Sequence, residues 1–400
     1  MGRFNAVLMF RPPQGWERLV LRNQGLELAT LRLYRFWART EWRRCFWSSI
    51  RIDSDALEYT GRAEELLLGF ALAFLVMAPA VIVYCGVIES VQPEDPAFAI
   101  LITLSCLVFV YVIALARYWA RGYLLASTLW RGIHAGQDGS AFVYALRYTV
   151  WAVALLLTAG FSLPWACADL ARYRLRHTTW GNYRGSFAGE ARQVWPAWPM
   201  TWAINILPLY AAAVWVIAAG NWNPMALQHS LEDAFDGVLR GEVMAVLYWL
   251  MAFLWLIPCC SHLYTRWLKW YLGGIAIGPM RFRCSMPQQE ADRRIFKGIL
   301  LVQALCILVA AAIFGLDGSS LEVLSELGYT EFVWLCSGLF AMAWAVFGYV
   351  VVRFIHVPLA DFIIGHTSIE GLSAAGTAVQ TAAPRRRRGE GLADIAHVAL

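Results

Sequence analysis

The chain has 400 residues, 59% hydrophobic and 15% charged, with mean hydropathy +0.52 and a formal net charge of +5. Soluble domains carry about 45–50% apolar and about 25% charged residues, so this composition excludes an ordinary water-soluble globule and points to lipid as solvent. The nine cysteines have no C-x-x-C spacing, and Cys259–Cys260 is their one cluster, which argues against a disulfide scaffold or a zinc module.

Residues 1–63 open with Arg3, Arg11 and Pro12–Pro13 rather than an apolar core, and predict a cytoplasmic Arg/aromatic module without a signal peptide. Within it, IRIDSDALEYTG alternates around Ser54–Asp55 and predicts a short β-hairpin. Apolar runs near the roughly 20 residues that a helix needs to cross a membrane follow at Leu66–Ile88, Ala97–Ala116, Trp198–Ala219, Val243–Ser261, Gly298–Leu316 and Phe332–Val352. A seventh run, Tyr148–Ala168, contains Gly160 and Pro164 and ends on Asp169 and Arg172. Lipid offers backbone groups no partners, so these runs are expected to be helical.

Charge sets the expected topology. Basic residues number 11 in 1–63, 9 in 117–192, 7 in 262–297 and 5 in 353–400, leaving Arg240 alone elsewhere. Such segments stay cytoplasmic, whereas the acidic connections around Glu89, Glu94 and Asp95, around Glu232, Asp233 and Asp236, and from Asp317 to Glu331 belong outside. The expected fold is an all-α polytopic membrane protein. It has about six transmembrane helices in three hairpins, one re-entrant or interfacial helix over 148–168, and small cytoplasmic helix/β-hairpin modules. Seven full spans are the alternative. The organisation read from this is a module at 1–63, a multi-pass domain at 64–372 with cytoplasmic modules at 117–147, 163–192 and 262–297, and a disordered basic tail at 373–400. Both termini are expected in the cytoplasm of a bacterial inner membrane.

Five segments resemble one another: YRFWARTEWRRCFWSSIRID (34–53), RYWARGYLLASTLWRGI (117–133), LPWACADLARYRLRHTTWG (163–181), SHLYTRWLKWYLGGIAIG (261–278) and RFIHVPLADFIIGHTSIEG (353–371). All but the fourth reach a hydroxyl residue, Ser49, Thr128, Thr178 or Thr367, followed two positions on by Arg51, Trp130, Trp180 or Ile369. Repetition of this kind implies internal duplication.

YRFWART with Arg43–Arg44 after it, WRGIHAGQDGSAFVYALR (130–147), and LPW with ARYRLRHTTWG (163–181) resemble the YjgN-like bacterial inner-membrane proteins, a domain-of-unknown-function family. The resemblance covers most of residues 30–200. It implies a multi-pass membrane protein, assigns no chemistry, and gives Trp37, Gly61, Trp130, Asp138, Gly139, Trp165, Tyr173 and Thr178 structural roles within the motifs.

No Walker loop, H-E-x-x-H or nucleophile elbow is present, and the seven histidines are scattered, so no catalytic residue, cofactor or metal is indicated. Basic residues are almost all Arg, interleaved with Trp and Tyr, a chemistry suited to anionic headgroups. Arg43, Arg44, Arg121, Arg131, Arg147, Arg172, Arg174 and His177 are the candidate contacts, and membrane lipid rather than nucleic acid is the expected partner. Trp195, Trp198, Trp202, Trp222, Trp267 and Trp270 fall at predicted span ends and read as interfacial anchors. Two functional readings follow. One is a non-enzymatic scaffold or lipid-interacting protein; the other is a transporter or channel for a small solute, with an anion path lined by Arg43, Arg44, Asp138, Arg147, Arg172 and His177. The tail supplies the first prediction. Replacing Arg385–Arg388 by Gln should weaken binding of the isolated tail to anionic vesicles, since each basic residue contributes about 1 kcal/mol near such a surface. Binding indifferent to salt and to anionic lipid would remove this role.

Overall fold

The computed structural model describes residues 6–92, 95–194, 198–206, 261–314, 338 and 346–380. In chain order come β1 (Ala6–Phe10), α1 (Trp16–Ala29), α2 (Arg35–Ser49), β2 (Ile50–Ile52), β3 (Asp55–Ala56), β4 (Glu58–Tyr59), α3 (Ala63–Glu89) and α4 (Pro96–Ala126). Then follow β5 (Thr128–Trp130), β6 (Ile133–Gln137), α5 (Ala141–Leu157), α6 (Leu163–Arg176), β7 (Thr178–Trp180), β8 (Tyr183–Phe187) and α7 (Trp198–Thr201). The last are α8 (261–273), β9 (Ile275–Ile277), β10 (Met280–Cys284), α9 (Gln288–Phe314), α10 (Val346–Gly365) and β11 (Thr367–Glu370). They fall in two compact units, Met1–Phe4 with Glu64–Arg283 and Glu370–Leu400, and Asn5–Ala63 with Cys284–Ile369.

In the first unit, α3 and α4 are long, apolar and largely bare. Leu75 and Ile82 are each 70% exposed, an arrangement that water does not stabilise. Asp95 caps α4 by accepting from the Ala97 N–H at 2.8 Å, and Pro96 starts the helix where its missing N–H is harmless. The six strands β5 to β10 form one antiparallel meander in sequence order. In the second unit β1 is flanked by β2 and β11, both antiparallel, and β3 pairs with the far side of β2.

The repeat has a physical content. At four helix ends the hydroxyl residue donates to the carbonyl four residues back: Ser49 to Cys45 at 2.7 Å, Thr128 to Leu124 at 2.8 Å, Thr178 to Arg174 at 2.8 Å and Thr367 to Ile363 at 2.7 Å. A helix C-terminus leaves four carbonyls without intrahelical partners, and a strand begins here at once, so the side chain takes one of them. At α8 the Gly274 N–H does the same, donating to the Trp270 carbonyl at 3.0 Å. Hairpins with two-residue turns follow four of these joints, at 53–54, 131–132, 181–182 and 278–279. Arg131 and Gly132 both have positive φ, +50° and +73°, as a type I′ turn requires.

The all-α expectation is therefore corrected: the connections carry antiparallel sheet. Strands of two to five residues vanish inside a window wide enough to detect a span, and their partners come from other segments. Against the six spans in three hairpins expected, three helices among the described residues are long and apolar enough to cross a membrane: Ala63–Ile88, Pro96–Ala126 and Val346–Gly365. The first two cover the expected spans at 66–88 and 97–116. The span at 298–316 lies on α9 as far as Phe314. Those at 198–219, 243–261 and 332–352 lie mostly outside the described residues.

Residues 148–168, expected to break at Gly160 and Pro164 and turn back, run as the end of α5, a reversal at 158–162 and the start of α6 rather than as one continuous helix. The Ala159 N–H donates to Leu156 O at 3.2 Å and the Gly160 N–H to Leu155 O at 2.6 Å, with φ of +50° and +83°. This pair of bonds is a Schellman stop, with alanine where glycine is usual. Two tryptophans expected as interfacial anchors hold this turn: Trp198 and Trp202 donate Nε1–H to the carbonyls of Phe161 and Ala159, at 2.9 and 2.7 Å. The chain then returns to the sheet it left, where Ala135 pairs with Trp180 and Gly136 with Thr179, so His134 and Asn182 sit at the same end of the helix pair. Replacing Ala159 by Gly should stabilise the protein by about 0.5–1 kcal/mol by relieving the left-handed conformation, and Gly160→Ala should destabilise it similarly. Thermal midpoints in detergent measure both; a fall for Ala159→Gly would contradict the turn.

Candidate functional site

The first unit gathers the repeated motif around a tyrosine cluster where α4, α5 and α6 meet. Ala114, Leu115, Tyr118, Ala141, Tyr144, Ala145, Leu170 and Tyr173 are all buried there. Ring centroids lie 4.9 Å apart for Tyr118–Tyr144 and 5.9 Å for Tyr118–Tyr173 and Tyr144–Tyr173. Offset and tilted rings of this kind pack favourably. Tyr173 donates to the Ser140 carbonyl at 2.8 Å, and burial raises its phenol above the ordinary value, so it remains a neutral donor.

Arginines line the edge of this cluster. Arg121 donates from Nη1 to Gln137 Oε1 at 2.7 Å and to the Arg174 carbonyl at 3.4 Å, and from Nη2 to Thr178 Oγ1 at 2.8 Å. Thr178 therefore serves two partners, ending α6 and holding a guanidinium of α4. Arg147 pairs with Asp169 at 3.2 Å and lies over the Tyr173 ring, its carbon 5.2 Å from the centroid. Trp151 donates to the other oxygen of Asp169 at 3.0 Å, and Arg117 to the Tyr148 hydroxyl at 3.2 Å. Asp138 bridges two hairpins, with His177 Nδ1 at 3.0 Å and Arg184 Nη2 at 3.1 Å. Gly139 is small because a Cβ there would stand 2.7 Å from the His177 ring.

The remaining predicted residues are engaged more locally. Arg131 occupies the β5–β6 turn with its guanidinium over Trp130, 4.9 Å from the ring centroid. Trp130 itself packs on Trp180 at 4.9 Å, and the Arg172 Nη2 reaches the Gly189 carbonyl at 3.4 Å. Trp165 is half-exposed beside Phe161. Arg43 and Arg44 belong to the second unit. Arg43 is 4% exposed and donates to the Tyr59 hydroxyl at 3.1 Å, Arg44 donates to the Gly61 carbonyl at 3.0 Å, and Trp37 stacks on Tyr34. Most of the arginines read as headgroup contacts thus hold backbone carbonyls, hydroxyls or rings of their own unit.

Sequence reading missed Tyr118, Tyr144, Gln137 and Asp169. Tyr144–Tyr148 and Tyr173–His177, each four residues apart on one helix face, were the available signal. Cys167 lies beside the Trp270 cluster, and burial pushes its thiol up, which makes it a packing group rather than a nucleophile. Among the described residues no three His, Cys, Asp or Glu side chains are grouped to hold a metal ion.

Thr178→Val removes both bonds and leaves an Arg121 donor without its acceptor, so it should cost about 1–3 kcal/mol, against about 0.5–1.5 kcal/mol for Thr367→Val, where one neutral bond is lost. Denaturation in detergent compares them, and equal losses would mean that the Arg121 bond contributes nothing. The model of a family described as bacterial protein of unknown function, DUF898, matches residues 14–395. No curated protein and no solved structure matches.

Proposed function

Because the chain belongs to this bacterial family, DUF898, which is that of the YjgN-like proteins and carries no assigned activity, we propose a function from its own geometry. It is a non-enzymatic, multi-pass protein of the bacterial inner membrane, and its helix–hairpin modules form a cytoplasmic collar that engages anionic lipid headgroups. The observation that carries this reading is the construction of α4. Its first two-thirds present bare apolar side chains such as Val108 and Phe109, and its last turns bear Arg117 and Arg121 and run straight into the β5–β6 hairpin. A helix built so matches hydrocarbon along its length and the headgroup region at its end.

The collar reading is supported by the arginines that remain outward. Arg184 is 73% exposed on β8, and Arg172 and Arg176 are exposed on α6. Positive residues at that level are attracted to the anionic inner leaflet. The same charge pattern supports a cytoplasmic location for both termini.

Single cysteines at 134, 182 and 229, in a background without the native nine, test the arrangement on intact cells with a membrane-impermeant thiol reagent. Labelling at 229 alone is expected. Labelling at 134 and 182 with protection at 229 would invert the protein and defeat the cytoplasmic collar, whereas labelling at only one of 134 and 182 would contradict the β6–β7 pairing.

A further inference from the structure

Arg174 differs from the other arginines of the first unit. Among the described residues its guanidinium donates no hydrogen bond and forms no ion pair; its Nε is buried without an acceptor, and the Tyr271 ring lies 5.8 Å from the guanidinium carbon. A guanidinium stays charged at every physiological pH and offers five donors in a rigid fork. A buried charged donor left without an acceptor is costly.

The neighbouring charge makes the position more unusual. Arg121 lies within electrostatic range of Arg174, Tyr271, Tyr118 and Tyr144, and Tyr144 within range of Arg174, Arg117 and Arg121. Among the described residues no carboxylate joins them. Those nearby are held elsewhere: Asp169 by Arg147 and Trp151, Asp138 by His177 and Arg184, and Glu65 by the Tyr123 hydroxyl at 2.8 Å. Positive charge thus converges on Tyr144 from two helices without a compensating anion from these groups.

We propose that Arg174 and Arg121, with the hydroxyls of Tyr144 and Tyr271, form a binding site for a phosphate-type oxyanion. The Arg174 guanidinium can present paired N–H groups to such an anion, which match its fork geometry in a way a halide does not, while Arg121, whose Nη1 and Nη2 already hold Gln137 and Thr178, adds its positive charge. Gln137 and Thr178 hold Arg121 in place, so one half of the site is fixed before the ligand arrives. The packed tyrosines around it exclude water and strengthen the attraction. This site does not depend on the collar being cytoplasmic or on its exposed arginines. The oxyanion is either a lipid headgroup phosphate or a free phosphate.

The test uses the purified full chain in neutral detergent at constant ionic strength. One arm titrates inorganic phosphate against chloride and follows the thermal midpoint, which rises with ligand concentration when only the folded state binds. The other measures retention of phosphatidylglycerol against phosphatidylcholine by native mass spectrometry. Saturable protection by phosphate identifies free phosphate as a ligand; selective retention of phosphatidylglycerol identifies the headgroup. Either response should disappear in Arg174→Gln and persist in Arg294→Gln, whose guanidinium is paired with Glu290 on α9. Arg174→Lys, which keeps the charge and loses the fork, should weaken it by about tenfold or more. Should Arg174→Gln fail to fold, Arg174→Lys and Tyr144→Phe decide the matter by the same readout. Absence of both responses in the unmodified chain, or a response unchanged by these substitutions, overturns the site.

Discussion

The carbonyls at a helix C-terminus must find donors, and in this chain they must find them where a strand begins with no loop between. That constraint governs the modules. A Ser or Thr at the joint bonds back four residues, which lets the backbone turn out of the helix while one of its last acceptors stays satisfied. The strand that emerges is short, and after Ser49, Thr128 and Thr178 it is closed by a two-residue turn. A joint one residue longer would reverse which side chains face inward, since strand faces alternate. Trp130, Trp180 and Ile369, each two residues past the hydroxyl, are all buried, so the joint also sets what the sheet encloses.

The repeat was legible in the sequence, although its meaning was not. The spacing from hydroxyl to buried residue was readable at 128, 178 and 367. At the first module it misled, because Arg51 is exposed and Ile52 takes the buried place. One hairpin was foreseen, with its turn a residue late: Asp53, at φ +61°, and Ser54 form it. The hairpins of WRGI, WGNY and IGPM each show a two-residue turn containing Gly between strand-forming residues, a signal that was present and unread. These strands lie between the apolar runs, and at two to five residues each they leave no signal in a window of about 20 residues set to find spans.

The candidate site was legible as a set of residue types and not as an arrangement. Arg121 and Thr178 are 57 positions apart, and Asp138 and His177 are 39 apart. Nothing local pairs them; the reversal at 158–162 and the β6–β7 register do. The tyrosines escaped notice for a related reason. An aromatic on a membrane-adjacent helix reads as an interfacial anchor until its neighbours are known, and Tyr118, Tyr144 and Tyr173 come from three separate helices.

Arginine in this protein carries two kinds of information that separate once the structure is known. Topology depends on charge alone: moving a guanidinium through hydrocarbon is unfavourable whether or not it later pairs, so every arginine contributes to orientation. Recognition depends on donors left available after folding. Arg43, closed in against Tyr59, and Arg121, bound to Gln137 and Thr178, contribute fully to the first and have donors already engaged for the second. Arg184 keeps exposed donors at the surface, and Arg174 keeps its buried Nε donor inside. Counting basic residues therefore bears on which way the chain faces, whereas finding what it binds requires asking of each arginine what its nitrogens already hold.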